Sequence, residues 1–200
     1  MPFNHNHHYH RLLLRKVPEH ARTALDVGCG HGLFARRLEQ RGLDVDAIDP
    51  SEEAIEIAEQ QSNGSKVRFR TADAITCELR TYDYISALAS LHHMPFDTVT
   101  RLRDALNPGG TLAVLGLYDD RPSDRWIDVA ASPANAIAKL AVYAADRARG
   151  LSPKPPYPPS RAPDLTWVQL KQESGRLLPD RRIRRLLLWR YLLVYRKPIG

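Results

Sequence analysis

The stretch Asp26-Val27-Gly28-Cys29-Gly30-His31-Gly32 restricts what this chain can fold into more than any other part of it. Glycines at alternate positions let a backbone turn sharply and approach a ligand without Cβ collisions. Before the turn, Thr23–Val27 is a short apolar run that reads as a buried strand. After it, Phe34–Arg41 repeats apolar residues at helical spacing (Phe34, Ala35, Leu38), and Gly42 supplies a stop. A strand, a glycine turn and a helix in that order put the turn at the carboxyl edge of an open α/β sheet, where such sheets bind ligands. Asp44–Ile48 reads as the next strand. Asp49 follows it, about 20 residues past the turn, the place from which a carboxylate accepts hydrogen bonds from a ribose diol. A ribose-bearing cofactor is therefore expected. A dinucleotide fingerprint would need a further glycine where Leu33 stands.

The strand–helix rhythm continues. Ser51 is placed to cap a helix whose first turn holds Glu52 and Glu53, favourable against its dipole. Val67–Thr71, Tyr84–Ala89 and Thr111–Leu117 read as strands. Asp97–Leu106 reads as a helix closed by the turn Asn107-Pro108-Gly109-Gly110. Strands separated by helices of this length imply parallel crossovers and a doubly wound sheet. Beyond Leu117 the rhythm breaks. Arg125–Arg149 is alanine-rich and helical in pattern, and six of the thirteen residues in Leu151–Pro163 are proline, which excludes helix and interior strand. Leu165–Leu178 reads as a helix. Ile183–Trp189 and Tyr191–Arg196 read as an antiparallel hairpin that finishes a mixed sheet.

The pattern Asp-x-Gly-x-Gly-x-Gly, in ALDVGCGHGLFARRL, closely resembles the first motif of the class I S-adenosylmethionine-dependent methyltransferases. The resemblance continues in order through DAIDPSEEAIEIA, RTADA, YDYISALASLHHMP and LNPGGTLAVLGL, covering roughly Thr23 to Leu117. A chance glycine turn explains one such segment but not an ordered series of five. The resemblance implies a Rossmann-like α/β fold with a seven-stranded sheet, parallel but for the C-terminal hairpin. It also implies S-adenosyl-L-methionine as cofactor. On the matching positions, Asp26, Gly28, Cys29, Gly30 and Gly32 would line the methionine end and Asp49 would hold the ribose hydroxyls. Pro50 would lie against the adenine, Asp73 would accept from its amino group, and the Ala74 amide would meet the ring. Ala89 would sit near the amino-acid portion.

Methyl transfer asks the protein mainly to align nucleophile, methyl carbon and sulfur and to exclude water. A general base is needed only if the nucleophile arrives protonated. His92 and His93, just past the fourth strand, are candidates, with loop packing as the alternative reading. His5, His7, His8 and His10 cluster near the N-terminus. Because the resemblance implies an N-terminal helix over the cofactor, Tyr9, His8 and His10 are candidate pocket residues, Tyr9 also as a catalytic one. No metal site is expected, since the histidine run has no acidic or cysteine partner nearby. Trp126, Tyr143 and Tyr157 could form an aromatic wall in a substrate lid or simply pack it.

One domain over residues 1–200 is expected: an N-terminal cap segment (1–22), a cofactor-binding core (23–118), a lid insertion (119–164) and a C-terminal helix and strands (165–200). The net charge of +6 is concentrated at the end, where Arg176–Gly200 carries eight Lys/Arg against one acid. Arg181–Arg190 reads either as an RNA-binding stripe with Trp189 for stacking, or as an outer strand with arginine on its wet face and Leu and Trp inward. The second is preferred. With no appended recognition module, a small organic substrate methylated at N, O, S or C is expected, and no nucleic-acid partner. An RNA or protein methyltransferase and a non-catalytic S-adenosylmethionine-binding regulator are the alternatives. Two distant cysteines, no membrane-length apolar run and no secretory signal point to a cytoplasmic protein. No feature speaks to an oligomeric state.

Overall fold

The structure, a computed structural model, describes residues 9–119, 163–186 and 190–199. The readings made for His5, His7, His8, Trp126, Tyr143, Tyr157, Trp189 and the helical pattern at 125–149 lie outside the described residues. In chain order the elements are α1 (His10–Leu14), β1 (Thr23–Val27), α2 (Leu33–Glu39), β2 (Asp44–Asp49), α3 (Glu52–Gln60), β3 (Arg68–Thr71) and β4 (Tyr82–Leu88). A 3-10 turn at Leu91–His93 precedes α4 (Thr98–Asp104), β5 (Leu106–Leu117), α5 (Trp167–Leu177), β6 (Arg182–Leu186) and β7 (Arg190–Arg196).

Seven strands form one sheet in the order β3-β2-β1-β4-β5-β7-β6. The first five are parallel; β7 runs antiparallel to both β5 and β6. Val27 is level with Ile48 on one side and Ala87 on the other, so β1, β2 and β4 end together and their following loops share one edge. This is the mixed Rossmann-like sheet that the motif order implied.

Alternation along the strands builds two cores. Tyr84, Ala113, Leu115 and Leu192 face α1 and α2, burying Leu13, Phe34, Ala35 and Leu38. Ile85, Leu112, Val114 and Leu193 face α4 and α5, burying Val99, Leu102, Leu170 and Leu177. Both faces of the central strands are covered, which is why β4 and β5 read as continuous apolar runs. The Tyr84 hydroxyl donates to the Leu13 carbonyl at 3.1 Å, pinning α1 to the sheet. Ser51 caps α3 as expected, its hydroxyl accepting from the Ala54 amide.

Three details depart from the sequence reading. Asn107-Pro108-Gly109-Gly110 does not end a helix; it lies inside β5 as a register shift, with Tyr82 opposite Leu106 and Tyr84 opposite Thr111. The chain after β7 captures it: the Gly109 amide donates to the Lys197 carbonyl, and the Lys197 amide to Gly110. Gly109, at φ +77, makes the bulge possible. Second, arginine does not keep to the wet face of the terminal strands. Arg182 and Arg184 of the edge strand are exposed, but the Arg185 guanidinium lies 4.9 Å from the Trp167 ring centroid and 5.4 Å from that of Tyr118. Third, Arg190 is only 9% exposed. At the far end of β5 the Asp119 amide donates to the Leu165 carbonyl, and Asp119 bridges Thr166. Asp119 and the Leu165–Thr166 segment thus lie side by side at this end of β5.

Gly116 of β5 stands opposite Tyr191 of β7, and a Cβ at Gly116 would occupy the space of the Tyr191 ring. Tyr191 is only 3% exposed and has little room to yield. Gly116→Ala should therefore destabilise the fold by about 1–3 kcal/mol through overpacking. Urea unfolding measures this, and an unchanged midpoint would contradict the β5–β7 packing.

Candidate functional site

The turn after β1 is tied to the end of β2. The amides of Gly28 and Cys29 both donate to the Ile48 carbonyl, at 2.8 and 3.1 Å, and the Gly30 amide donates to Asp49 Oδ2 at 2.9 Å. Asp49 Oδ1 accepts from the Ser51 amide at 3.0 Å. Both oxygens of this carboxylate are therefore held by backbone, yet each keeps a second lone pair for an outside donor. Gly28, Gly30 and Gly32 have φ of +68, +52 and +70, in the left-handed region. They are not equivalent. A Cβ on Gly28 would meet the Ser90 side chain and one on Gly32 the Phe69 ring, whereas nothing lies within 4 Å of a Cβ built on Gly30. Position 28 is glycine for packing as well as for its dihedral; position 30 faces open space.

Asp26, at the end of β1, is 1% exposed. Its Oδ1 accepts from the Ser86 hydroxyl at 2.7 Å, and its Oδ2 has no hydrogen-bond partner. Burial pushes the Asp26 carboxyl up to about 7, the Ser86 hydroxyl works the other way, and the nearby charge of Asp49 raises it further. The Ala35 amide, in the first turn of α2, also favours ionisation. A buried carboxylate with one oxygen unmatched fits a cationic group seated against it. Cys29, half-buried and weakly bonded to the Gly30 carbonyl, has its thiol pushed well up by burial and by Asp26 and Asp49, so it is not a nucleophile.

β4 completes the rim. Ala89 takes a left-handed φ of +53, uncommon for a residue with a Cβ, and its amide donates to the Leu115 carbonyl at 2.7 Å. Ser90 donates to the Val27 carbonyl at 2.7 Å and fills the space beside Gly28. The β4 loop and the glycine turn are thereby packed as one unit. Pro50 and Asp73 are exposed and Ala74 is buried. Asp73 Oδ1 accepts from the Ile75 amide at 2.8 Å, and its carbonyl accepts from Thr76 and Cys77.

At the other end of this edge stand Tyr9, His92 and Arg190. Tyr9 precedes α1 and is 7% exposed. Both ring nitrogens of His92 are buried without a partner, and its ring centroid is 4.0 Å from that of exposed His93. Burial lowers His92 to about 4, helped by His93 and Arg190 and opposed by Asp164, so the ring is neutral at physiological pH. Burial raises the Tyr9 phenol, partly offset by Arg190. A neutral imidazole and a protonated phenol can orient a nucleophile by hydrogen bonds; a base this weak contributes little proton abstraction. His10 is buried and packs edge-on against Phe34 at 4.9 Å. Among the described residues no group of three His, Cys, Asp or Glu side chains could hold a metal ion.

Sequence reasoning passed over Ser86, Ser90 and Arg190. Alternation carried a signal for the last: Arg190 shares its face with Leu192 and Val194, both packed into the α1–α2 core. The serines carried none, because nothing local marks a hydroxyl that bonds across to the neighbouring strand.

Comparisons with known proteins agree with this geometry. A methyltransferase-domain family profile matches residues 25–112. An uncharacterized methyltransferase of Mycobacterium tuberculosis is 35% identical over 99% of this chain and 98% of its own. A ubiquinone biosynthesis O-methyltransferase of Nitrosospira multiformis is 31% identical over 52% of this chain and 48% of its own. A protein crystal structure from Pyrococcus horikoshii superposes with a TM-score of 0.65 at 21% identity, covering 94% of this chain and 87% of that one, a likeness of fold. With glycine turn, buried acid, second acid and sheet order all in place, this chain belongs to the S-adenosylmethionine-dependent methyltransferases.

Proposed function

We propose that this protein methylates N, O, S or C of a small organic molecule, in the cytoplasm. The observation that carries the substrate class is enclosure: Tyr9 and Arg190 are buried and His92 half-buried at the acceptor end of the carboxyl edge. Such a setting suits a molecule that enters, not a polymer that lies across a surface. The basic C-terminal segment supports the same reading, because two of its arginines, Arg185 and Arg190, turn inward. The segment 119–164 is read as the lid, because its described ends meet beside β5, the Asp119 amide donating to the Leu165 carbonyl. Cys29 and Cys77 are free thiols, in keeping with a reducing compartment. Among the described residues no helix is long and apolar enough to cross a membrane.

S-adenosylmethionine supplies an electrophilic methyl carbon, already activated by its sulfonium. The chain's own residues supply position. The unmatched Asp26 Oδ2 would receive the cofactor's amino group, with Gly28, Cys29, Gly30, Gly32 and Ala89 giving it backbone at close range. Asp49 would use its remaining lone pairs for the ribose hydroxyls, and Pro50, Asp73 and Ala74 would border the adenine. On the acceptor side His92 accepts a hydrogen bond and Tyr9 donates one, so that a nucleophile is aimed and water is kept out. His93, being exposed, would do no more than border the entrance.

Two outcomes test this reading. When the protein is incubated with methyl-tritiated S-adenosylmethionine and fractionated cell extract, the label should appear in the small-molecule fraction; label confined to RNA or protein would contradict the substrate class. The second concerns Asp26, whose folded pKa of about 7 stands above its unfolded value near 3.8. As pH rises between those two values the unfolded chain gives up this proton first, so folding is penalised progressively. Asp26→Asn removes the penalty while keeping an acceptor for Ser86. Its stability gain over the parent, from urea unfolding, should be larger at about pH 8 than at about pH 5; an equal difference at both would show that Asp26 is not a buried, poorly matched acid.

A further inference from the structure

Arg190 stands first in β7, level with Leu117 at the carboxyl end of β5. Alternation turns its side chain to the face shared by Leu192 and Val194, under α1. It is 9% exposed, and its Nε has no hydrogen-bond partner. Among the described residues no acid forms an ion pair with it. A guanidinium keeps its charge in any surroundings, so burying it unpaired is costly unless something outside the chain matches it. Arg68, Arg80, Arg103 and Arg176, by contrast, each meet an acid from side chains that are 32–64% exposed. The contrast marks Arg190 as a site and not as a piece of scaffolding.

Its neighbours define what would fit. His92, whose two ring nitrogens are also buried and unmatched, feels the Arg190 charge, as does the Tyr9 phenol. These groups lie on three separate elements: the turn after β4, the entry to α1 and the start of β7. Asp164 is the nearby acid, acting on His92 in the opposite sense. One guanidinium, one neutral imidazole and one phenol make a single positive charge with hydrogen-bonding flanks. That matches a monoanionic carboxylate, which a guanidinium grips through two parallel N–H donors. A phosphate dianion would call for a second cation, and among the described residues the charges that act on His92 from beyond its own turn are Arg190 and the acid Asp164.

We propose that the methyl acceptor carries a carboxylate, and that the buried, unpaired Arg190 of β7 binds it beside His92 and Tyr9. The proposal rests on the small-molecule reading above and narrows it. Arg190 acts as a substrate-binding residue that sets specificity for an acid over its uncharged counterpart.

The test uses the full chain loaded with S-adenosylhomocysteine, titrated by calorimetry with matched pairs: 4-hydroxybenzoate and 4-hydroxybenzamide, propionate and propionamide, and phenyl phosphate as the phosphate arm. At least one carboxylate should bind tenfold or more tighter than its amide. In Arg190→Gln that preference should vanish, while affinity for S-adenosylhomocysteine stays as in the parent. Amides that bind as well as acids, no response to any carboxylate, or an acid preference that survives Arg190→Gln would each overturn the proposal. Phenyl phosphate binding tenfold tighter than every carboxylate would overturn the choice of carboxylate. Arg190→Met adds a readout that a structural role would fail: its Tm without acceptor should equal or exceed the parent's, and a clear fall would mean that Arg190 holds the fold. Failure of the parent to bind S-adenosylhomocysteine at all would instead strike the underlying methyltransferase reading.

Discussion

The hydrogen bonds that join the glycine turn to the end of β2 are the constraint on which the rest of the site depends. Two amides on the Ile48 carbonyl and one on Asp49 hold the turn open in left-handed dihedrals that only glycine takes without strain. Were the turn to relax, Asp26 and Asp49 would lose their fixed separation and Ser90 its seat against Gly28. The strand ends behind it, level across β2, β1 and β4, are what allow a short loop to be positioned so tightly.

The edge is divided between two kinds of chemistry. At the β1–β2 end the groups are acidic and partly unsatisfied: Asp26 with a free oxygen, Asp49 with spare lone pairs. At the β5–β7 end a buried cation, Arg190, stands with two neutral groups, His92 and Tyr9, and the acids Asp119 and Asp164 lie on the chain beside them. A cofactor with a cationic amino acid and a ribose suits the first, and an acceptor of opposite charge suits the second. Two sets of unmatched groups, Asp26 at one end and Arg190 at the other, would hold two ligands in a fixed order along one edge, the arrangement that an in-line displacement requires.

Much of this was readable from residue order. The glycine turn, the acid at the end of the second strand and the apolar spacing of Phe34, Ala35 and Leu38 are local signals, and local physics suffices for them. So was the antiparallel finish, because Ile183 and Leu193 lie close in sequence and meet in register. What escaped depended on distant partners. The Asn107–Gly110 segment carries every mark of a turn, yet the backbone of Lys197 draws it into β5. Arg190 sits in a run of arginines that looks like a solvated edge; its spacing from Leu192 and Val194 hints at an inward face, and its pairing with Leu117 fixes it beneath α1. Composition describes the segment, whereas register decides each side chain.

The central claim is that the turn after β1 seats S-adenosylmethionine or its demethylated product. Backbone amide NMR of the isotope-labelled chain, titrated with S-adenosylhomocysteine, addresses it directly. The account predicts saturable shifts centred on Gly28, Gly30, Gly32, Asp49 and Ala74, with α5 and β6 unmoved. Shifts confined to other elements, or none at millimolar ligand, would contradict it.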